Sequence, residues 1–208
     1  MNKLYVQYGC GHNSPEAWLN FDSSPTLYFE RIPILGRIYT KNKERFPENV
    51  RYGDIVKGLP VPPNSCNGAY ACHVLEHLSL EECRTAIKNT FVILGPRGIF
   101  RLVVPDLEIA ARVYVECGEH DAAENFMRAT LLGKEKRQRT FRTFLTAYLG
   151  NSLHLWMWDY KSLKNELELA GFTDIRRCEY NDSTDNAFKD VESLERFADA
   201  VAIECRKP

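Results

Sequence analysis

An α/β fold on a mostly parallel sheet is predicted by three observations. Short apolar strands alternate with helical segments along the chain, the pattern of a sheet with helices on both faces. One of those strands, Asn67-Gly68-Ala69-Tyr70-Ala71-Cys72, is small and apolar, as a strand covered on both faces must be. Glycines and polar side chains recur where the strands end, the edge at which open α/β sheets bind ligands. The chain has 208 residues, which at about 100–200 residues per domain is read as one domain over 1–208, with elaborations at 23–49 and 119–153.

The elements follow in order. Leu4 to Tyr8 is a strand stopped by Gly9-Cys10-Gly11, where two glycines permit a tight turn. Ser14-Pro15-Glu16 resembles a capped helix start, but Trp18 to Phe21 already reads as the second strand, ending at Asp22, so the first crossover holds about one helical turn. From Ser23 to Asn49 Pro25, Pro33, Gly36 and Pro47 interrupt any long helix. Val50 to Ile55 is a third strand carrying Asp54, and residues 67–72 are the fourth. Ser79 with Glu82 forms a capping box for a helix whose stripe is Leu80, Cys83, Ile87, Phe91 and Leu94, ended by Gly95-Pro96. Ile99 to Val104 is the fifth strand, and Pro105-Asp106 opens a helix to about Cys117. A helix from Asp159 to Ala170 precedes two last strands, Ile175 to Cys178 and Ala200 to Cys205.

Composition excludes several function classes. Lys plus Arg number 27 against 28 Asp plus Glu, a formal charge of −1, so nothing global attracts nucleic acid and none is expected as a partner. No apolar run approaches the ~20 residues that span a bilayer, and Met1 to Tyr8 lacks a signal-peptide stretch. Seven cysteines without Cys-x-x-Cys or Cys/His ligand spacing read as reduced thiols in a cytoplasmic protein, with no metal site expected.

The chemistry sits at strand ends. Asp22 at the end of strand two suits two ribose hydroxyls, or an Asx-turn before Ser23-Ser24-Pro25. A dinucleotide is disfavoured because Ser14 stands where the third glycine belongs, and because Asp22 follows Gly11 by 11 residues against ~20 in the dinucleotide fingerprint. A nucleoside without phosphates fits better.

At these residues the chain resembles the class I S-adenosylmethionine-dependent methyltransferases. The matching pieces are Tyr8-Gly9-Cys10-Gly11, Phe21-Asp22, Gly53-Asp54-Ile55, His73-Val74-Leu75-Glu76-His77-Leu78, Leu94-Gly95-Pro96-Arg97-Gly98 and Ala170-Gly171-Phe172. It is similar to a poorly characterised group of such proteins that share Val103-Val104-Pro105-Asp106-Leu107 and His154-Leu155-Trp156-Met157-Trp158-Asp159-Tyr160. The resemblance implies a Rossmann-like three-layer sandwich with seven strands in order 3-2-1-4-5-7-6, strand seven antiparallel. It implies S-adenosylmethionine as cofactor, with Gly9, Cys10 and Gly11 under the methionine part, Asp22 at the ribose, Asp54 and Ile55 at the adenine, and Cys72-His73 near the methionine amino group. Where many relatives carry an acid two residues before the first glycine, this chain has Gln7.

Methyl transfer from a sulfonium depends chiefly on positioning, plus a base when the acceptor is a hydroxyl. His73 and His154 are the candidate bases, while His77 reads as a packing histidine and Glu76 as a solvated or capping carboxylate. Asp106 either contacts acceptor or caps its helix, and Trp156 and Trp158 form an aromatic wall for a flat acceptor or else belong to the core. The expected reaction is O-methylation of a small-molecule or glycan-type acceptor. A non-catalytic cofactor-binding scaffold is the alternative, and a nicotinamide-dependent oxidoreductase a third reading. Arg31, Arg37, Lys41, Lys43 and Arg45, with Lys134, Lys136, Arg137, Arg139 and Arg142, face only Glu30, Glu44 and Glu135. These basic groups either select a phosphate-bearing acceptor or are solvated faces. Phe29, Ile32, Ile34, Leu35, Ile38 and Tyr39 interleave with the first group and leave room for peripheral membrane contact.

Overall fold

A computed structural model describes residues 3–33, 45–135 and 153–208. Among these, seven strands form one sheet in the order β3-β2-β1-β4-β5-β7-β6, as the resemblance implies. The strands are β1 (Tyr5–Tyr8), β2 (Leu19–Asp22), β3 (Val50–Tyr52), β4 (Cys66–Cys72), β5 (Leu94–Pro105), β6 (Thr173–Arg177) and β7 (Ala200–Arg206). β7 runs antiparallel to both of its neighbours, and the remaining pairings are parallel. The helices are α1 (Pro25–Glu30), α2 (Leu80–Ile93), α3 (Leu107–Glu116), α4 (Ala122–Ala129) and α5 (Tyr160–Leu169). None of the described helices is long and apolar enough to cross a membrane.

Side chains alternate across the pleat and so build two different cores. Val6 and Tyr8, Ala69 and Ala71, and Phe100 and Leu102 face the layer of α2 and α5, which contributes Cys83, Ile87, Leu163 and Leu167. The opposite face, with Tyr5, Tyr70, Ile99 and Val103, is covered by Trp18, Phe188 and Val191. The last two belong to the β6–β7 connection, which carries short 3₁₀ turns at Asn186–Asp190 and Leu194–Phe197.

The first crossover departs from the expected helical turn. Residues 11–17 form turns only, and side-chain amides take over the hydrogen bonding that a helix would have supplied. Gln7 Nε2 donates to the Asn13 carbonyl at 2.7 Å and to Asn20 Oδ1 at 2.6 Å, while Asn20 Nδ2 donates to the carbonyls of Pro15 and Trp18 at 3.0 Å. Within 23–49 Pro25 starts a helix rather than interrupting one: it occupies the first helical turn, where no N–H is needed, and Ser24 caps α1 through the Thr26 N–H. β3 ends at Tyr52, three residues before the expectation, because Asp54 and Ile55 accept from Lys57 and Gly58 in a turn. β5 begins five residues early, directly after α2, and the extra length is a bulge: Cys66 pairs with Leu94 and Gly68 with Ile99. The Ser79–Glu82 capping box forms as read, and Asp159, expected as the first residue of its helix, is instead the cap of α5, accepting from the Ser162 N–H.

One charge lies inside the second core. Arg101, in the middle of β5, is 1% exposed. Its Nε donates to Glu192 Oε1 at 2.6 Å, Nη1 to Glu204 Oε2 at 2.8 Å and to Asp182 Oδ1 at 3.0 Å, and Nη2 to the Glu179 carbonyl at 3.0 Å. Glu204 is its cross-strand partner on β7, whereas the other three groups belong to the β6–β7 connection. Burial alone would raise Asp182, but Arg176, a backbone N–H and Arg101 together hold its carboxyl down to about 2.

Arg101→Met strands the buried Glu192 carboxylate without its counter-ion and leaves Glu204 to Arg176 alone. It is expected to lower the unfolding free energy by about 3–5 kcal/mol in urea titration. Because the Asp182 value is depressed, its contribution is present above the ordinary ~3.9 and is lost as pH falls through about 2. The acid limb of a stability–pH curve is therefore expected to flatten between those values in Asp182→Asn.

Candidate active site

Two cavities open at the carboxyl edge of the sheet. The first, about 430 Å³, is lined by Gln7 of β1 and by Gly9 and Cys10 after it, by Tyr70 and Cys72 of β4, and by Asp190, Glu195 and Arg196 of the β6–β7 connection. Gly9 is required there, since its φ is +65° and a Cβ would come within 2.3 Å of Val74 Cγ2. At Gly11, also left-handed, a Cβ would project into open space. The Tyr70 hydroxyl is buried without a hydrogen-bond partner. Cys10 and Cys72 stay protonated, pushed up by burial to about 12 and about 11.

Not every residue expected at the cofactor lines this cavity. The Gln7 amide nitrogen is spent on the crossover, and the acidic residues along this cavity are Asp190, Glu192 and Glu195, beside Arg196. The connection's place over β1 had no local sequence signal. Asp22, 8% exposed, ties the glycine turn to α1: Oδ2 accepts from the Gly11 N–H at 2.9 Å and Oδ1 from the Ser24 N–H at 2.7 Å. Each oxygen keeps a second lone pair. Asp54 accepts from the Val56 N–H and pairs with Lys57 at 3.2 Å; Asp22, Asp54 and Ile55 lie outside the cavity lining.

The second cavity, about 600 Å³, lies between α3, α4 and the ends of β4 and β5. Its walls are apolar, with Ile109, Val113, Phe126 and Leu131 among them, and its polar groups include His73, Asp106, His154 and Asp199. The cavities divide within one or two residues: Cys72 lines the first and His73 the second, and in the β6–β7 connection Arg196 lines the first and Ala198 the second.

The histidines sort by their partners. His73 has φ +53°, and both of its ring nitrogens are engaged. Nε2–H donates to the Arg196 carbonyl at 3.0 Å and Nδ1 lies 3.2 Å from Glu76 Oε1. Burial lowers this imidazole, but Glu76 and the Arg196 carbonyl outweigh it and the net shift is upward. With Nε2–H on the Arg196 carbonyl and Nδ1 turned to Glu76, neither ring nitrogen of His73 is free to take a proton from an acceptor in this arrangement. His154 is shifted the other way by burial, against the pull of Glu76, and its Nδ1 is buried with no partner.

Glu76 is fully buried rather than solvated, and neither carboxylate oxygen has a hydrogen-bond partner. It lies in the 3₁₀ turn Leu75–His77, whose Glu76 carbonyl accepts from the N–H groups of Leu155 at 2.7 Å and Trp156 at 3.2 Å. That pairing brings His154 to Glu76. His77 Nδ1–H donates to the Leu153 carbonyl at 3.0 Å, and its ring meets that of His154 edge-on, centroids 5.0 Å apart. His77 is thus part of a cluster, not only packing.

The remaining expectations divide. Asp106 caps α3, accepting from the Glu108 N–H at 2.9 Å, and also lines the second cavity. Trp158 is 1% exposed in the core, bridged to Asp106, so it forms no acceptor wall. Trp156 is exposed and lines neither cavity. Arg31 staples its own loop, donating to the carbonyls of Pro47 and Val50, rather than presenting a free cation. Arg37, Lys41, Lys43, Lys136, Arg137, Arg139 and Arg142 lie outside the described residues.

The chain matches no protein-family model and no curated protein sequence. Solved structures do match it. A Thermotoga maritima S-adenosylmethionine-dependent methyltransferase is similar over 99% of this chain and 82% of its own, with 13% identity and a TM-score of 0.54. A chain of a Haloferax volcanii complex of the Trm112 methyltransferase activator is similar over 100% and 82%, with 14% identity and a TM-score of 0.52. A Haemonchus contortus phosphoethanolamine N-methyltransferase bound to S-adenosylhomocysteine is similar over 100% of this chain and 49% of its own, with 12% identity and a TM-score of 0.52. The chain therefore has the Rossmann-like fold of S-adenosylmethionine-dependent methyltransferases.

The Glu76 charge raises both His73 and His154. In metal-free protein, Glu76→Gln is expected to move both imidazole titrations to lower pH in side-chain NMR. His73 titrates above the ordinary ~6.5 in the wild type, so its stabilising pair is complete below that value and fades as pH rises through the raised one.

Proposed function

We propose that the chain is an S-adenosylmethionine-dependent methyltransferase acting on the hydroxyl of a small molecule with an apolar body. The observation that carries this reading is the pair of adjoining cavities divided at Cys72 and His73, one polar beside a glycine turn and one apolar. The cofactor supplies a methyl group on a sulfonium whose departure leaves a neutral thioether. The residues present suit it: the Gly9–Gly11 turn leaves backbone room, Glu195 and Asp190 face the side where an ammonium would lie, and the unpartnered Tyr70 hydroxyl awaits a polar ligand. Asp22 would take ribose hydroxyls on its remaining lone pairs.

On the other side, Ile109, Val113 and Phe126 would hold the acceptor's apolar body and exclude water. No Lys or Arg lines this cavity among the described residues, which argues for an acceptor without phosphate and away from a glycan. The acceptor hydroxyl would sit beside the Glu76–His77–His154 cluster, which has buried lone pairs available to it. Orientation of the two substrates across one boundary would supply most of the rate.

Calorimetry of the full chain is expected to show S-adenosylmethionine and S-adenosylhomocysteine binding, and none for a nicotinamide dinucleotide. Asp22→Ala should weaken cofactor binding at least about tenfold, or about 1.4 kcal/mol. Absence of binding at millimolar cofactor overturns the reading. Cofactor binding without turnover across a library of apolar alcohols and phenols would leave the scaffold alternative in its place.

A further inference from the structure

Glu76, His77 and His154 offer ligand atoms that all lie within 4.8 Å of one another. A carboxylate that is 0% exposed, with no hydrogen bond to either oxygen and only the His73 Nδ1 contact at 3.2 Å beside it, next to an imidazole Nδ1 that is also buried and unpartnered, is costly unless something further satisfies it. His77 gives its Nδ1–H to the Leu153 carbonyl, which leaves the Nε2 lone pair facing the cluster. The His154 Nδ1 is buried and has no partner of its own. A histidine that donates one ring N–H to a backbone carbonyl is oriented and made more basic at the other nitrogen, as metal-bound histidines are. The His73 Nδ1 contact at 3.2 Å holds one Glu76 oxygen in place.

We propose that this cluster is a mononuclear site for a divalent transition cation of the zinc type, held by a Glu76 carboxylate oxygen, His77 Nε2 and His154 Nδ1. Two imidazoles and one carboxylate are a borderline-soft donor set that suits Zn²⁺ or Co²⁺ and not Mg²⁺. In a tetrahedral site with metal–ligand distances of ~2.0–2.1 Å, ligand atoms stand about 3.3 Å apart, so modest side-chain rotations close the observed spread. Three protein ligands leave a coordination position open, the mark of a catalytic rather than a structural site. His154 also lines the 600 Å³ cavity, which places that position at the acceptor side.

The role of the cation rests on the methyltransferase reading. The cation would take the acceptor oxygen at its open position and lower the hydroxyl's pKa. The O–H bond breaks with its proton passing to water, the oxygen lone pair forms the new O–CH₃ bond, and the C–S bond breaks with its electrons remaining on sulfur as S-adenosylhomocysteine. No oxidant or second co-reactant is needed.

The test titrates chelator-treated full-length protein with Co²⁺, then Zn²⁺, following visible absorption and calorimetry. One equivalent of Co²⁺ with d–d bands of a four- or five-coordinate site, displaced by Zn²⁺ and not by Mg²⁺, is expected. His77→Ala and His154→Ala should each weaken Co²⁺ at least about 100-fold. No saturable binding by 100-fold molar excess, or unchanged binding in folded variants, overturns the proposal. Should the variants fail to fold, nitrogen NMR of the wild type decides: shifts at His77 Nε2 and His154 Nδ1 on adding one equivalent of Zn²⁺ support the site, and their absence overturns it. S-adenosylmethionine calorimetry on the same sample separates the two readings. Metal binding without cofactor binding removes the methyltransferase and keeps the site; cofactor binding without metal does the reverse.

Discussion

The buried guanidinium of Arg101 is the interaction on which the functional edge of the sheet depends. Three carboxylates and a carbonyl converge on it, and all but Glu204 come from the β6–β7 connection. The connection is thereby drawn across β5 and β4 to lie over β1, and Phe188 enters the core between Tyr5 and Trp18. Asp190, Glu195 and Arg196 then wall one cavity, and Ala198 and Asp199 the other. The Arg196 carbonyl fixes His73, and the Asp199 carbonyl accepts from the Asp106 N–H at the head of α3. A charge in the core is costly to desolvate. Here it fixes an irregular segment as one layer of the fold.

A second constraint acts at the end of β4. The chain leaves Cys72 through His73, held left-handed at φ +53°, and winds into the single 3₁₀ turn that buries Glu76. The Glu76 main chain fastens residues 155–156, and its side chain faces His73, while the His77 and His154 donors lie close by. One residue therefore organises the boundary between the cavities with its carbonyl and with its carboxylate. Nothing in the apolar packing around Leu75 and Trp158 requires a carboxylate there.

The fold was legible because its signals are local or periodic: the glycine turn, the Ser79–Glu82 box and the strand-end residues sit within a few positions of one another. The strand order came from the resemblance, not from periodicity. The short α1 was hidden because Pro25 reads as a breaker unless the Ser24 cap before it is weighed. Arg101 could have been flagged as a lone charge in the run Ile99-Phe100-Arg101-Leu102-Val103, but its partners lie 78 to 103 residues away. Glu76 and His77 were underread for the same reason. Within their own segment they look like a turn carboxylate and a packing ring, and only the approach of His154, on a segment linked through main-chain hydrogen bonds, makes them a cluster.

The central claim is that the polar cavity at the ends of β1 and β4 is the donor half of a two-substrate site whose division falls at Cys72 and His73. A crystal structure of the full chain with S-adenosylhomocysteine tests it most directly. The account predicts the ligand between the Gly9–Cys10 turn and Tyr70–Cys72, its amino group toward Glu195 and Asp190, and its sulfur directed at the His73 side of the boundary. A cavity empty at saturating ligand, or a ligand bound with its sulfur turned away from His73, would contradict it.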